Sequence, residues 1–284
     1  MAINKVGVIG SGIMGSGIAE VAASAGCTVI VRSRSQATAD GMIAGLEKSL
    51  AKQVERGKKS QEDADALRAR VSATTSLKDL ADCDLVIESI VEDLGTKKAL
   101  FNELDGIVKS GAIIATNTST LPVIEMAMQT SRPENVCGVH FFNPATAMSL
   151  VEIVAPITAS DETLAAVTEF ATACGKDPVR VKDQAGFIVN ALLFPYLNNA
   201  IKLFESGVAS KEGIDIAMKG GCGFPMGPFA LLDLVGLDTS LAILEALYLE
   251  FADANYAPAP LLKRMVVAGQ LGRKSGTGFF DYRK

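Results

Sequence analysis

The sequence predicts an α/β fold, a doubly wound sheet domain followed by a smaller all-helical domain. Three observations predict it. Residues 6–9 form an apolar run that opens into a glycine loop and then a helix pattern rich in small residues. Strand and helix signals alternate from there to about residue 184, as in a sheet covered by helices on both faces. Beyond that point the strand signals stop and helical periodicity takes over. The domains are therefore expected at 1–184 and 185–284.

Val6-Gly7-Val8-Ile9 lacks a helical period and reads as a strand. Gly10-Ser11-Gly12-Ile13-Met14-Gly15 follows, then a helix over 16–25 ended by Gly26, then a strand over 27–31. This is the Rossmann-type context in which Gly-x-Gly-x-x-Gly signals a dinucleotide. Gly10 permits the tight turn, Gly12 lets a pyrophosphate approach the backbone, and Gly15 allows close helix packing. Ile13 and Met14 complete the loop where the helix amino terminus meets the phosphate charge. The competing reading is a purely structural glycine turn.

Eighteen positions beyond Gly15, where an NAD enzyme places an aspartate for the ribose 2′-hydroxyl, stands Ser33. Arg32-Ser33-Arg34-Ser35 instead offers two guanidinium groups and two hydroxyls around the place of a 2′-phosphate. Arginine matches phosphate geometry and stays charged. The expectation is NADP(H) in preference to NAD(H), with NAD(H) still usable. Against it stands a pair of solvated loop arginines beside an NAD site that manages without the acid.

Residues 36–70 are rich in Ala, Lys, Glu and Arg and read as two helices joined near Gly57, a hairpin over about 38–70. Lys48, Lys52 and Arg56 recur every four residues and share one face. Such a stripe is most often merely solvated, and it would also suit a phosphorylated, acidic substrate handle. Strand signals return at 85–89, 112–116, 136–142 and 150–154. Ligands in such sheets sit beyond the carboxyl ends of the strands. Glu92, Asn117, Ser119 and His140 lie at those ends and are candidates to share one crevice.

His140 is the single histidine of the chain. Imidazole is the side chain that trades protons near neutrality without special tuning. Glu152 follows twelve residues later, beyond Asn143-Pro144, on the next apolar run. Two strands joined there would set the carboxylate beside the imidazole. It would then fix the tautomer, leave Nε2 free as a base and stabilise the imidazolium. Oxidation of a hydroxyl needs such a base beside a nicotinamide. A hydrogen-bonded core histidine is the alternative.

Residues 185–251 read as nearly continuous helix, with an apolar face through Ile188, Leu192 and Tyr196 and a kink or break at Pro195. A chain that is 49% hydrophobic over 284 residues can bury a large core, and a formal charge of −5 gives no basic footprint for nucleic acid. No apolar run reaches the roughly 18 residues that span a bilayer, and the first residues run straight into a strand without room for a signal peptide. The five cysteines (27, 83, 137, 174, 222) are scattered, with no Cys-x-x-Cys pair. They read as reduced, cytoplasmic, buried thiols and give no metal site.

Several motifs are familiar as a set: Gly-Ser-Gly-Ile-Met-Gly (10–15), Leu-Val-Ile-Glu-Ser-Ile-Val-Glu (85–92), Asn-Thr-Ser-Thr (117–120), His-Phe-Phe-Asn-Pro (140–144), Gly-Phe-Ile-Val-Asn (186–190), Pro-Met-Gly-Pro (225–228) and Leu-Gly-Arg-Lys-Ser-Gly-Thr-Gly-Phe (271–279). In this order, and over nearly the whole chain, they resemble the 3-hydroxyacyl-CoA dehydrogenase family, and among its members the bacterial 3-hydroxybutyryl-CoA dehydrogenases most closely. The resemblance implies reversible oxidation of an (S)-3-hydroxyacyl-CoA to the 3-ketoacyl-CoA, with His140 as base and Glu152 as its partner. It implies that Ser119 and Asn190 contact the substrate's oxygens and that Asn143 supports the histidine loop. Glu92 and Lys97 would lie near the nicotinamide ribose, Lys48 and Lys52 would grip the CoA phosphates, and the helical domain would form a homodimer.

There are departures from the family pattern. Ser33 replaces the NAD-binding aspartate, Asn-Pro-Ala-Thr-Ala-Met (143–148) replaces the more usual Asn-Pro-Val-Pro-Val-Met, and Phe224 stands where a histidine commonly precedes Pro-Met-Gly-Pro. Two rival readings remain at this stage. A dehydrogenase of free 3-hydroxyacids would typically use a lysine where this chain offers His140 and Glu152. A non-catalytic dinucleotide-binding protein would have no need of His140, Glu152, Ser119 and Asn190 together.

Overall fold

In the computed structural model, which describes residues 2–283, the chain begins with β1 (Lys5–Ile9), α1 (Ile13–Ser24) and β2 (Thr28–Arg32). A helical hairpin of α2 (Gln36–Glu55) and α3 (Gln61–Ala69) leads to β3 (Val71–Thr74). Then come β4 (Leu85–Glu88), α4 (Leu94–Asp105), β5 (Ile113–Thr116), α5 (Val123–Ala127), β6 (Val136–Phe141), β7 (Leu150–Ala155), α6 (Asp161–Ala173) and β8 (Asp177–Lys182). The eight strands form one sheet in the order β3-β2-β1-β4-β5-β6-β7-β8. All neighbours are parallel except β6 and β7, which run antiparallel.

The sequence explains the elements locally. The central strands are buried along their length, as sheets covered on both faces require, so they read as runs of Val, Ile and Leu without alternation. Each of their larger side chains contributes about 1.5–3 kcal/mol on burial. Helix starts are marked by side-chain caps. Ser35 and Thr38 form a capping box on α2, and Ser60, Asp93 and Ser160 accept from backbone N–H groups of α3, α4 and α6.

Internal contacts divide the chain into two units, residues 1–183 and 184–284. The second holds α7 (Val189–Glu205), α8 (Lys211–Cys222), α9 (Pro228–Val235), α10 (Leu237–Phe251) and α11 (Pro260–Val267) around its own core of Phe194, Leu197, Phe229, Leu244 and Leu262. Buried Asp215 caps α9 through the N–H groups of Phe229 and Ala230, and buried Asp233 holds those of Phe279 and Phe280.

Four expectations change in detail. The first helix begins at Ile13 rather than at residue 16, directly on the glycine loop. The stretch 185–251 is not continuous helix but four helices, interrupted at 206–210, 223–227 and Gly236; Gly223 has φ 69°, a conformation that ends a helix and favours glycine. α7 runs from Val189 to Glu205 through Pro195 without a break, although proline removes one intrahelical N–H there. Finally, β3 and β8, for which the sequence gives no clear strand signal, form the two edges of the sheet.

Candidate active site

The carboxyl ends of β1, β2, β4, β5 and β6 gather most of the residues that the sequence singles out in the first unit. At β1 the chain turns at Gly10, whose φ of 116° is open to glycine alone. A Cβ on Gly15 would lie 1.9 Å from the Gly10 carbonyl oxygen, so the strand-to-helix turn closes only without one. A Cβ on Gly12 would meet nothing within 4 Å, and the α1 amino terminus has no side-chain cap. Ile13 is exposed and Met14 half-buried beside it.

A cleft of about 760 Å³ opens here, lined by Gly10, Gly12, Arg32, Arg34, Ser89 and Thr96 among others. Arg32 is half-buried and Arg34 exposed, and Ser33 between them is buried. Among the described residues, Arg32 Nε and Ser33 Oγ are buried without a hydrogen-bond partner. Buried polar atoms are normally satisfied. The uncapped amino terminus of α1, the room at Gly12, two guanidinium groups and these orphaned polar atoms fit a dinucleotide phosphate group.

On the other side of β4 lies the imidazole. β6 and β7 pair in antiparallel register with His140 directly opposite Glu152. His140 Nδ1 is 2.8 Å from Glu152 Oε2, with both side chains almost wholly buried. A carboxylate only accepts, so the neutral imidazole carries its proton on Nδ1 and presents a lone pair at Nε2. Ser119 Oγ is 3.1 Å from that nitrogen. The Phe142 ring packs on the imidazole at 4.5 Å between centroids. Asn117 accepts the Phe141 N–H through Oδ1 at 2.8 Å, tying the end of β5 to β6.

Asn143 is exposed and precedes Pro144 through a cis peptide. Its loop, 142–149, is anchored by Lys176, whose ammonium donates to the carbonyls of Ala145 at 2.6 Å and Met148 at 2.8 Å. Burial pushes the Lys176 ammonium below its ordinary range, with the nearby Cys174 opposing the shift.

Glu92 accepts from the Ser119 N–H at 3.0 Å and from the Thr118 hydroxyl. Burial raises its carboxyl, but the Lys97 charge and the bonds from Thr118 and Ser119 outweigh that and hold it below the usual carboxylate range. Lys97 is itself only 1% exposed and bonds two carboxylates, Glu88 at 2.8 Å and Glu92 at 3.0 Å. Its ammonium therefore reaches the crevice through Glu92. Glu88 and Lys176 escape a reading of the sequence. The one available signal for Glu88 is a charge ending a strand of apolar residues, a place that demands a partner.

Lys48 and Lys52 stand exposed on α2, away from the face that buries Met42, Leu46 and Leu50. A second cleft, of about 750 Å³, lies between α1, α2 and the 144–146 segment. Asn190 belongs to the second unit, buried in the first turn of α7. Among the described residues no helix is long and apolar enough to cross a membrane.

Comparison with known proteins agrees with this architecture. Residues 5–184 match the family domain described as 3-hydroxyacyl-CoA dehydrogenase, NAD binding domain, and residues 186–282 match its C-terminal domain. A 3-hydroxybutyryl-CoA dehydrogenase of Clostridioides difficile is 48% identical over 280 residues, covering 99% of this chain and 100% of the relative. A probable 3-hydroxybutyryl-CoA dehydrogenase of Deinococcus radiodurans is 48% identical over 278 residues, 98% of this chain and 100% of the relative. The crystal structure of (S)-3-hydroxybutyryl-CoA dehydrogenase from Ralstonia eutropha superposes with a TM-score of 0.97 at 42% identity, covering 100% of both chains.

Proposed function

The chain belongs to the 3-hydroxyacyl-CoA dehydrogenase family, and from that premise we propose that it interconverts (S)-3-hydroxybutyryl-CoA and acetoacetyl-CoA, with NADP(H) preferred over NAD(H). The observation that carries the reading is the line Glu152, His140, Ser119, in which a buried carboxylate orients an imidazole whose other nitrogen meets a hydroxyl. When bound, the nicotinamide cofactor supplies or accepts the hydride.

The residues supply the rest. His140 Nε2 takes the proton from the substrate's 3-hydroxyl in oxidation and returns one to the 3-keto oxygen in reduction. Glu152 keeps Nδ1 protonated and stabilises the imidazolium once it forms. Ser119 and Asn190 hold the substrate's oxygens, and Asn143 supports the histidine loop. Gly10, Gly12, Ile13, Met14 and Gly15 hold the dinucleotide phosphates; Asn117, Glu92 and, through Glu92, Lys97 border the nicotinamide end. Lys48 and Lys52 are the counter-charges for the CoA phosphates. The roles of Asn190, Lys48 and Lys52 rest on the family resemblance alone.

The NADP(H) preference is supported by Arg32 and Arg34 on the cleft wall, and by a serine where an aspartate would repel a 2′-phosphate. A homodimer through the second unit is part of the same reading, supported by its exposed Leu192, Leu249 and Val267. So is a reducing, cytoplasmic setting, supported by five free cysteines. The test is reduction of acetoacetyl-CoA followed by loss of reduced-nicotinamide absorbance, with NADPH and NADH compared over a concentration series. Turnover with a higher kcat/KM for NADPH is expected; turnover favouring NADH overturns the cofactor preference, and no turnover with either overturns the activity.

A further inference from the structure

We propose that Glu88 is a positioning residue for the Ser119–His140 pair, acting on the turn at 117–120 through two separate chains of contacts. The proposal rests on the function assigned above and adds to it a residue that touches neither His140 nor Ser119.

Glu88 ends β4 and is 0% exposed. Its carboxylate receives the Lys97 ammonium on both oxygens (2.8 and 2.9 Å), the Ile90 N–H at 2.6 Å and the Thr116 hydroxyl at 2.7 Å. Two routes lead onward. In the first, Lys97 Nζ holds Glu92 Oε2 at 3.0 Å, while the other oxygen of Glu92 accepts the Ser119 N–H at 3.0 Å. In the second, the Thr116 hydroxyl that donates to Glu88 accepts the Thr118 N–H at 3.1 Å. Both backbone N–H groups that set the turn before the Ser119 hydroxyl are thus fixed by groups that Glu88 organises.

The chemistry explains why a buried carboxylate stands there. Ser119 lies in a turn beyond β5, so no ladder of strand hydrogen bonds sets where its hydroxyl points. Glu92 has a side chain 41% exposed and would sample several rotamers in water. What keeps it on the turn is the ammonium of Lys97, and an ammonium tolerates such burial only beside a compensating charge. Glu88 supplies that charge. Lys97 has a second acceptor in Glu92, so the ammonium alone does not explain the hydroxyl of Thr116 on the same carboxylate.

The single histidine makes the test direct, because the imidazole signals in a nuclear magnetic resonance spectrum belong to His140 alone. Glu88→Gln keeps the shape of the side chain and removes its charge. The expected result is a displaced His140 signal in the free protein and a kcat for acetoacetyl-CoA reduction lowered by about 10–10²-fold. The KM for acetoacetyl-CoA should stay within about twofold of the parent. A kcat within about twofold of the parent, or an unmoved His140 signal, overturns the proposal.

Should Glu88→Gln not fold, Thr116→Val tests the second route alone. It should lower kcat about fivefold, the equivalent of one neutral hydrogen bond, and displace the same signal; no change in either overturns the proposal. An unsubstituted protein that turns over no acetoacetyl-CoA contradicts the assigned function instead, and the His140 signal of the variants then still decides whether Glu88 governs the imidazole's surroundings.

Discussion

His140 and Glu152 face each other across the antiparallel step between β6 and β7, in register, with Nδ1 and Oε2 2.8 Å apart. The pairing depends on backbone geometry. A one-residue slip between β6 and β7 would turn one of the two side chains to the opposite face. Glu152→Gln keeps the shape and replaces the carboxylate with an amide that can also donate. We expect kcat to fall at least about tenfold and up to about 10⁴-fold, with the KM for the reduced dinucleotide little changed. Steady-state kinetics in the direction of acetoacetyl-CoA reduction checks this; an unaltered kcat would show that the carboxylate does not orient the base.

Neutralising Arg32 and Arg34 together should separate the two cofactors. A guanidinium bonded to a 2′-phosphate is a charge-assisted contact, so its loss should raise the KM for NADPH by about 10–10²-fold. The KM for NADH should move far less. Equal effects on both would mean that these side chains do not read the phosphate.

Much of this site is legible in the sequence, and the reasons are physical. The glycine loop is readable because Gly10 and Gly15 answer backbone demands that no other residue meets. His140 and Glu152 lie on adjacent apolar runs, and a short connection between strands leaves few ways to arrange them. The edge strands β3 and β8 are not readable. In β8, Asp-Pro-Val-Arg-Val-Lys is exposed at four of six positions, and its Pro178 fits because an edge strand can spare an N–H. The burial of Lys97 is unreadable for another reason. Lys97 and Lys98 are neighbours with the same chemistry, yet one side chain is 1% exposed and the other 34%. Only the turn of α4 against β4 separates them.

Glu92 should leave a mark on acid stability. Its carboxyl is held below its ordinary value of 4.5, so the unfolded chain binds a proton there more readily than the folded one. The stability it contributes is complete above about pH 4.5 and is lost as the pH falls through the folded value. In scanning calorimetry from about pH 6 to about pH 3.5, the gap in Tm between the parent and Glu92→Gln should narrow steadily. A gap that stays constant would place the group outside the folded-state network.

Thiol chemistry should single out one cysteine. Against the expectation of buried thiols, Cys222 is exposed and Cys174 only half-buried, while Cys27, Cys83 and Cys137 are buried. Burial pushes the Cys83 thiol up to about 11 and the Cys137 and Cys174 thiols to about 12, which keeps them protonated and poorly nucleophilic. A neutral-pH disulfide reagent should therefore titrate Cys222 first in the native protein and all five thiols after denaturation. Rapid native labelling at Cys137 would contradict the packing of β6.

Replacement of His140 by alanine bears most directly on the account. The variant should bind the reduced dinucleotide with the affinity of the parent, because the cleft at Gly10, Gly12, Arg32 and Arg34 does not include the imidazole. Its kcat for acetoacetyl-CoA reduction should fall by about 10²–10⁴-fold, the share that a positioned acid or base contributes. A His140→Ala protein that binds the cofactor and turns over at the parent rate would contradict the assignment of the proton to His140, and with it the role of Glu152.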